Sequence, residues 1–255
     1  MPLEIVTVPC LRDNYAYLVR DAATGQVGLV DAPEPAPIEA ALSDRGWKLD
    51  LILITHHHAD HIDGVNVLRG RYHAQVAGAA ADKHRLPALD VELKGGDTIA
   101  IGESVAQVFE VPGHTVGHIA YWFAEAKAVF TADSLMVMGC GRLFEGTPEQ
   151  MWGTLTTLAA LPDDTMVYSG HEYAESNIRF ALSVDGENPA LRARAAEIAA
   201  MRQMGGATVP ARLDLERETN PFLRAADAGF KAQLGLKGSP DAQVFAEIRR
   251  RKDSF

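Results

Sequence analysis

Cysteine is scarce in this chain. Cys10 and Cys140 are the only two among 255 residues, and they stand far apart. That is no disulfide framework, so a reducing, cytoplasmic setting is expected. Long apolar runs are missing too. No stretch reaches the length needed to span a bilayer, so no membrane partner is expected. The opening MPLEIVTVPCLRDNY has no basic start followed by an apolar run, so no secretory signal is expected either. Positive charge is in deficit, with 24 Lys and Arg against 34 Asp and Glu and a formal net charge of −10. Such a chain repels polyanions, and no nucleic-acid partner is expected. There is no fixed-period repeat and no low-complexity tract. GxSxG is absent, which argues against a serine nucleophile on a strand-to-helix elbow. HEYAE at 171–175 lacks the second histidine of the helical metalloprotease pattern.

What is present reads as a mixed α/β protein. LEIVTV, YAYLVR and QVGLVDA have strand character, and the first two end in the turn-like PCLRDN and DAATG. PAPIEAALSDRG predicts a helix opened by proline and closed by Gly46. LDLILIT is a continuous apolar run of strand length, which predicts burial on both faces. AQVAGA, ESVAQVFEV, IAYWFA, KAVFTA and DTMVYS predict further strands, with PEQMWGTLTTLAAL as a helix among them. After Ser169 the spacing turns helical, in ESNIRFALSV, NPALRARAAEIAAMRQM and DAQVFAEIRRRK. The expected division is an α/β domain over 1–171 and a helical domain over 172–255.

Potential metal ligands fall where apolar strands end. LILIT is followed by His56, His58, Asp60 and His61, VFEVPG by His114, AVFTA by Asp133 and TMVYSG by His171. Strand ends are rigid and their loops can converge, which makes them a recurrent place for a site. Residues i and i+2 of an extended segment point the same way, so His56 and His58 can share one ion while His57 points elsewhere. Asp60 and His61, just before the helical pattern IDGVNVLRG, can turn to a second ion. Seven donors exceed one tetrahedral shell, and imidazole with carboxylate suits zinc-like ions. The expected partition is His56, His58 and His114 on one ion, Asp60, His61 and His171 on the other, and Asp133 bridging. Histidine in a protein is more often a surface or packing residue than a ligand. That reading is kept for His73 and His84, while His57 and His118 are expected to support the ligands from behind.

H-x-H-x-D-H followed by isolated His, Asp and His resembles the metallo-β-lactamase superfamily. The resemblance sharpens in LRDNYAYLV, THHHADHIDG, PGHTVGHIAYW, GCGRLFEGTPEQM, SGHEYAESN, TNPFLR and RRRKD, which look like the glyoxalase II (hydroxyacylglutathione hydrolase) family. It implies a four-layer αββα sandwich with a C-terminal α-helical domain. It implies two divalent metal ions, zinc before iron or manganese. Substrate contacts carry over to Arg142, Phe144, Tyr173, Arg249 and Lys252. Relatives with Tyr in place of Phe144 have a hydroxyl that this chain lacks there. Arg249 and Lys252 lie three apart on a predicted helix and can face one carboxylate, although cations also suit a helix end on their own account.

The implied reaction is hydrolysis of the thioester of S-(2-hydroxyacyl)glutathione, with S-D-lactoylglutathione giving glutathione and D-lactate in methylglyoxal detoxification. A hydroxide held between the two ions would be the nucleophile, with Asp60 orienting it and Asp133 fixing both ions. A monomer acting on a small-molecule glutathione thioester is expected. The alternatives within the same fold are a lactonase or a persulfide dioxygenase.

Overall fold

The computed structural model describes residues 3–255. The chain divides into two compact units, Met1–Glu110 with Gly117–Ala132, and Val111–Val116 with Asp133–Phe255. Among the described residues, no helix is long and apolar enough to cross a membrane.

In the first unit, strands β1 (Leu3–Cys10), β2 (Asn14–Asp21) and β3 (Val27–Val30) run antiparallel. The sheet then continues in parallel through β4 (Leu51–Leu53), β5 (Gln75–Ala79) and β6 (Val91–Leu93). The change of sense follows from the connections. A tight turn returns the chain antiparallel, whereas a crossover helix delivers it parallel. The helix after β3 is α1 (Pro35–Arg45), started by proline and stopped by Gly46 at φ 65°, a left-handed conformation that glycine adopts without strain. α2 (Ala59–Ile62) and α3 (Val65–Tyr72) connect β4 to β5. Ile38, Leu42, Val65 and Leu68 from these helices pack on Leu29, Ile52 and Val76 of the sheet.

The same unit holds β7 (Thr98–Ile101), β8 (Ser104–Glu110), β9 (Ile119–Phe123) and β10 (Ala128–Ala132), antiparallel in the order β10-β9-β8-β7. This second sheet faces the first. Tyr17 of β2 meets Phe130 of β10 at 5.4 Å between ring centroids, and the buried Tyr121 hydroxyl donates to the Ile54 carbonyl at 2.7 Å.

The second unit carries a two-strand hairpin, β11 (Leu135–Met136) and β12 (Gly139–Cys140). Helix α4 (Pro148–Ala159) follows, started by a reciprocal Thr147–Gln150 capping box, a device that contributes about 1 kcal/mol. Then come β13 (Met166–Ser169), α5 (Ala174–Asp185) and α6 (Pro189–Gln203). β14 (Ala211–Arg212), α7 (Leu213–Thr219), α8 (Ala228–Gln233) and α9 (Asp241–Asp253) complete it. Its core is aromatic, with Phe222 5.9 Å from both Phe180 and Phe245.

The fold class is α/β with a helical C-terminal region, as the sequence pattern implies. Some details differ. LDLILIT yields a strand of only Leu51–Leu53, buried and paired on both sides. The segment after Ser169 keeps one short strand, β14, which pairs with β13. Cys140, between two glycines in the sequence, is the last residue of β12.

Candidate metal centre

The first donor group belongs to the first unit. Beyond β4, His58 is extended, with φ of −64° and ψ of 141°, and starts α2. Asp60 and His61 are therefore inside a helical turn, one step earlier than the IDG pattern implies. Extended geometry separates the histidines by parity. His56 Nε2 and His58 Nδ1 meet at 3.2 Å, while His57 Nδ1 lies 3.3 Å from the Asp82 carboxylate. His56 and His61 are wholly buried. His118 stacks on His56 with ring centroids 4.7 Å apart, and its Nδ1 lies 3.1 Å from the Ile119 carbonyl oxygen.

Buried partners orient these rings. Asp31, at the end of β3, has a left-handed φ of 57°. Its carboxylate accepts from the Thr55 amide at 2.9 Å and the Thr55 hydroxyl at 2.8 Å, and it lies 2.7 Å from His61 Nδ1. A carboxylate there holds the His61 proton on Nδ1, which gives Nε2 a lone pair for a cation. Asn14 donates to the Asp60 carbonyl at 2.9 Å and to its carboxylate at 3.0 Å. Neither Asp31 nor Asn14 stands out in the sequence as a site residue. The signals were an acid at the end of QVGLVDA, like the ligands at other strand ends, and an asparagine inside LRDNY.

The second donor group belongs to the second unit. Asp133 Oδ2 lies 3.3 Å from His114 Nε2 and 3.3 Å from His171 Nε2. The Arg142 carbonyl lies 2.8 Å from His114 Nδ1. A carbonyl only accepts, so Nδ1 carries a proton, which lets Nε2 offer a lone pair to a cation or, in the imidazolium form, donate to the Asp133 carboxylate. Either a metal cation or a proton on Nε2 relieves the repulsion of two acceptors 3.3 Å apart. The approach of the backbones depends on Gly141. A Cβ there would lie 1.9 Å from the Asp133 carbonyl oxygen and 2.9 Å from His114 Nδ1.

The remaining expected residues also lie in the second unit. Phe144 is 62% exposed, with its ring edge-on to His114 at 5.3 Å, and Tyr173 stacks on His171 at 4.7 Å. Arg249 is buried. It donates to the Cys140 carbonyl at 3.2 Å and pairs with Asp253 at 2.8 Å, while Arg142 lies 3.5 Å from the same carboxylate. Lys252 donates to the Ser176 carbonyl at 3.0 Å and lies 5.4 Å over the Phe180 ring. Burial, then the neighbouring Arg249 and Arg179, pulls its ammonium down to about 8. Burial pushes the Cys140 thiol up to about 11, so it is no thiolate nucleophile at neutral pH.

Imidazoles with oriented tautomers and carboxylates fit divalent metal ions, and the chemistry of the donors requires nothing softer. Residues 11–171 match the family model for the metallo-beta-lactamase superfamily. BLEG-1, a B3 metallo-beta-lactamase, has a similar structure with TM-score 0.67 and 20% identity, covering 86% of this chain and 99% of that one. TTHA1623, solved in a di-iron-bound form, is similar with TM-score 0.62 and 26% identity, covering 86% of this chain and 100% of its own. Fold and donors together therefore define a metal-binding member of the metallo-beta-lactamase superfamily. Residues 172–255 match the model for the hydroxyacylglutathione hydrolase C-terminus. A curated relative from Ruegeria pomeroyi, named hydroxyacylglutathione hydrolase, is 62% identical over the whole of both chains. The chain belongs to the hydroxyacylglutathione hydrolase family.

Proposed function

We propose that this protein hydrolyses the thioester of S-(2-hydroxyacyl)glutathione, such as S-D-lactoylglutathione, to glutathione and a 2-hydroxy acid, and that it does so with two divalent ions. The observation that carries the metal reading is the pair of 3.3 Å contacts from Asp133 Oδ2 to the Nε2 atoms of His114 and His171. One carboxylate oxygen facing two imidazoles is the arrangement a bridging ligand needs. The substrate reading rests on the full-length relative and on the match over 172–255, which we assign as a substrate-binding domain. Zinc suits the donors best. Iron remains a competitor, since the similar TTHA1623 was solved with two irons.

In this reading His56, His58 and His114 hold one ion, Asp60, His61 and His171 hold the other, and Asp133 holds both. Bound ions of this kind polarise a carbonyl and make hydroxide available near neutral pH. The chain's own residues do the rest. Asp31 and the Arg142 carbonyl keep His61 and His114 in the ligating tautomer. Asn14 fixes the Asp60 carboxylate, the group placed to orient the attacking oxygen. Arg142, Arg249 and Lys252 supply positive charge for the carboxylates of glutathione, which compete with Asp253 for the two guanidinium groups. Phe144 and Tyr173 contribute flat apolar contact beside the site, but Phe144 has no hydroxyl to donate. Glutathione thiolate is a good leaving group, so no strong general acid is needed. A monomer working in a reducing cytoplasm completes the proposal, in keeping with two buried free thiols.

The test is loss of the thioester absorbance of S-D-lactoylglutathione with purified protein, before and after chelation. Fast, chelator-sensitive loss is expected. Metal-replete protein that leaves the thioester intact would contradict the substrate assignment.

A further inference from the structure

The segment from Asp133 to Arg142 carries two things the site needs, the Asp133 carboxylate and the carbonyl that holds His114. Between them is a hairpin with two residues in each strand. So short a hairpin has little stability of its own. Its turn also places Met138 at a left-handed φ of 59°, a costly conformation for a side chain of that size. Something outside the hairpin must hold it.

The helices of the same unit do so through its backbone. Asn220 Nδ2 donates to the Gly139 carbonyl at 2.9 Å and lies 3.3 Å from the Met136 carbonyl. Asn177 donates to the Val137 carbonyl at 2.9 Å. Arg249 donates to the Cys140 carbonyl at 3.2 Å. Glu216 Oε2 accepts from the Met138 amide at 3.0 Å and from Asn220 at 3.0 Å. Glu216 and Asn220 stand four apart, on one face at the end of α7. Both are wholly buried. The second oxygen of Glu216 takes the Arg194 guanidinium, which also donates to Thr219 at 2.7 Å. A buried ion pair is seldom retained for stability alone, since an apolar replacement of equal size is often as good. This one ends on the hairpin that carries Asp133.

We propose that Glu216 and Asn220 are positioning residues for the metal loop, so that the helical segment sets metal affinity as well as receiving substrate. The proposal rests on the reading of Asp133 as a metal ligand. It assigns no contact with substrate to either residue. Asn220 fixes the hairpin carbonyls, Glu216 fixes the turn amide and Asn220 itself, and Arg194 fixes Glu216.

The test is metal affinity, measured by competition with a chromophoric chelator at a temperature where each variant is folded by circular dichroism. Asn220→Asp keeps the shape but removes both N–H donors and sets a carboxylate against two carbonyls and Glu216. It is expected to weaken metal binding roughly tenfold to a hundredfold, as the loss of a ligand's supporting partner does elsewhere. Should it fail to fold, Asn220→Ala removes the same carbonyl contacts, adds no charge and leaves the Arg194–Glu216 ion pair in place. It is expected to weaken metal roughly threefold to tenfold on the same scale. A purely structural role would lower the unfolding temperature and leave the affinity of folded protein at the parental value. That result in either folded variant overturns the proposal. Parental protein that binds no metal would overturn the reading of the site itself, and the proposal with it.

Discussion

His56, His58, Asp60 and His61 come from one seven-residue stretch, whereas His114, Asp133 and His171 come from three loops far apart in sequence. The difference shows in how each group is held. The first is placed by its own local geometry. Extended backbone sends alternate rings to opposite sides, and one helical turn brings Asp60 and His61 round. Its partners outside the stretch include Asp31, Asn14 and the stacked ring of His118. The second group has no local pattern to rely on. It depends on the absence of a side chain at Gly141, on the Arg142 carbonyl and on a hairpin gripped by helices.

The comparison can be broken most severely at Gly141. Gly141→Ala places a Cβ inside contact distance of both the Asp133 backbone and His114. Metal affinity and thioester hydrolysis are expected to fall together by roughly a hundredfold or more, beyond the usual effect of losing a supporting partner. Parental metal content in the folded variant would show that the second group is less dependent on its loops than argued.

Asp31→Asn probes the first group. The amide presents an N–H towards His61 Nδ1 and favours the wrong tautomer. A loss of roughly tenfold to a hundredfold is expected for one ion, with the other held more firmly, so metal release should become biphasic in a chelator titration. Release of both ions in a single step would contradict the partition.

A smaller effect concerns substrate. The Lys252 ammonium is pulled down to about 8, first by burial. A lowered amine pKa leaves the charged form in place below that pH and removes it above. KM for an anionic thioester is therefore expected to rise roughly tenfold from about pH 7 to about pH 9, the worth of one charge-assisted hydrogen bond, with kcat changing less. Lys252→Arg should flatten the rise. A KM independent of pH in the parental protein would remove Lys252 from the substrate contacts.

Much of this was legible in the sequence, and the reasons differ by residue. Each of the seven proposed ligands follows an apolar strand, a pattern that survives without any knowledge of packing. His57 departs from its neighbours and lies beside Asp82, as the alternation of positions in the motif implies. What supports the donors was not legible. Asp31 and Asn14 have only faint local signals, a strand-end acid and an asparagine in LRDNY, and nothing local marks Glu216 and Asn220, which act across long sequence separations. Gly141 looks like an ordinary turn glycine until the Asp133 backbone is found behind it. β6 and β7 are not marked in the sequence, because VEL and TIAI are too short to establish a period. Arg249 is expected from the resemblance to meet substrate, and what the sequence does not mark is that it is buried and spends one donor on the Cys140 carbonyl.

The central claim is that both donor groups serve one two-metal centre through Asp133. Elemental analysis of the purified protein and of Asp133→Ala, after dialysis against weak chelator, tests it most directly. Two divalent ions per chain are predicted for the parental protein, and loss of both in the variant. One ion per chain, or a variant that keeps two at parental affinity, would contradict it.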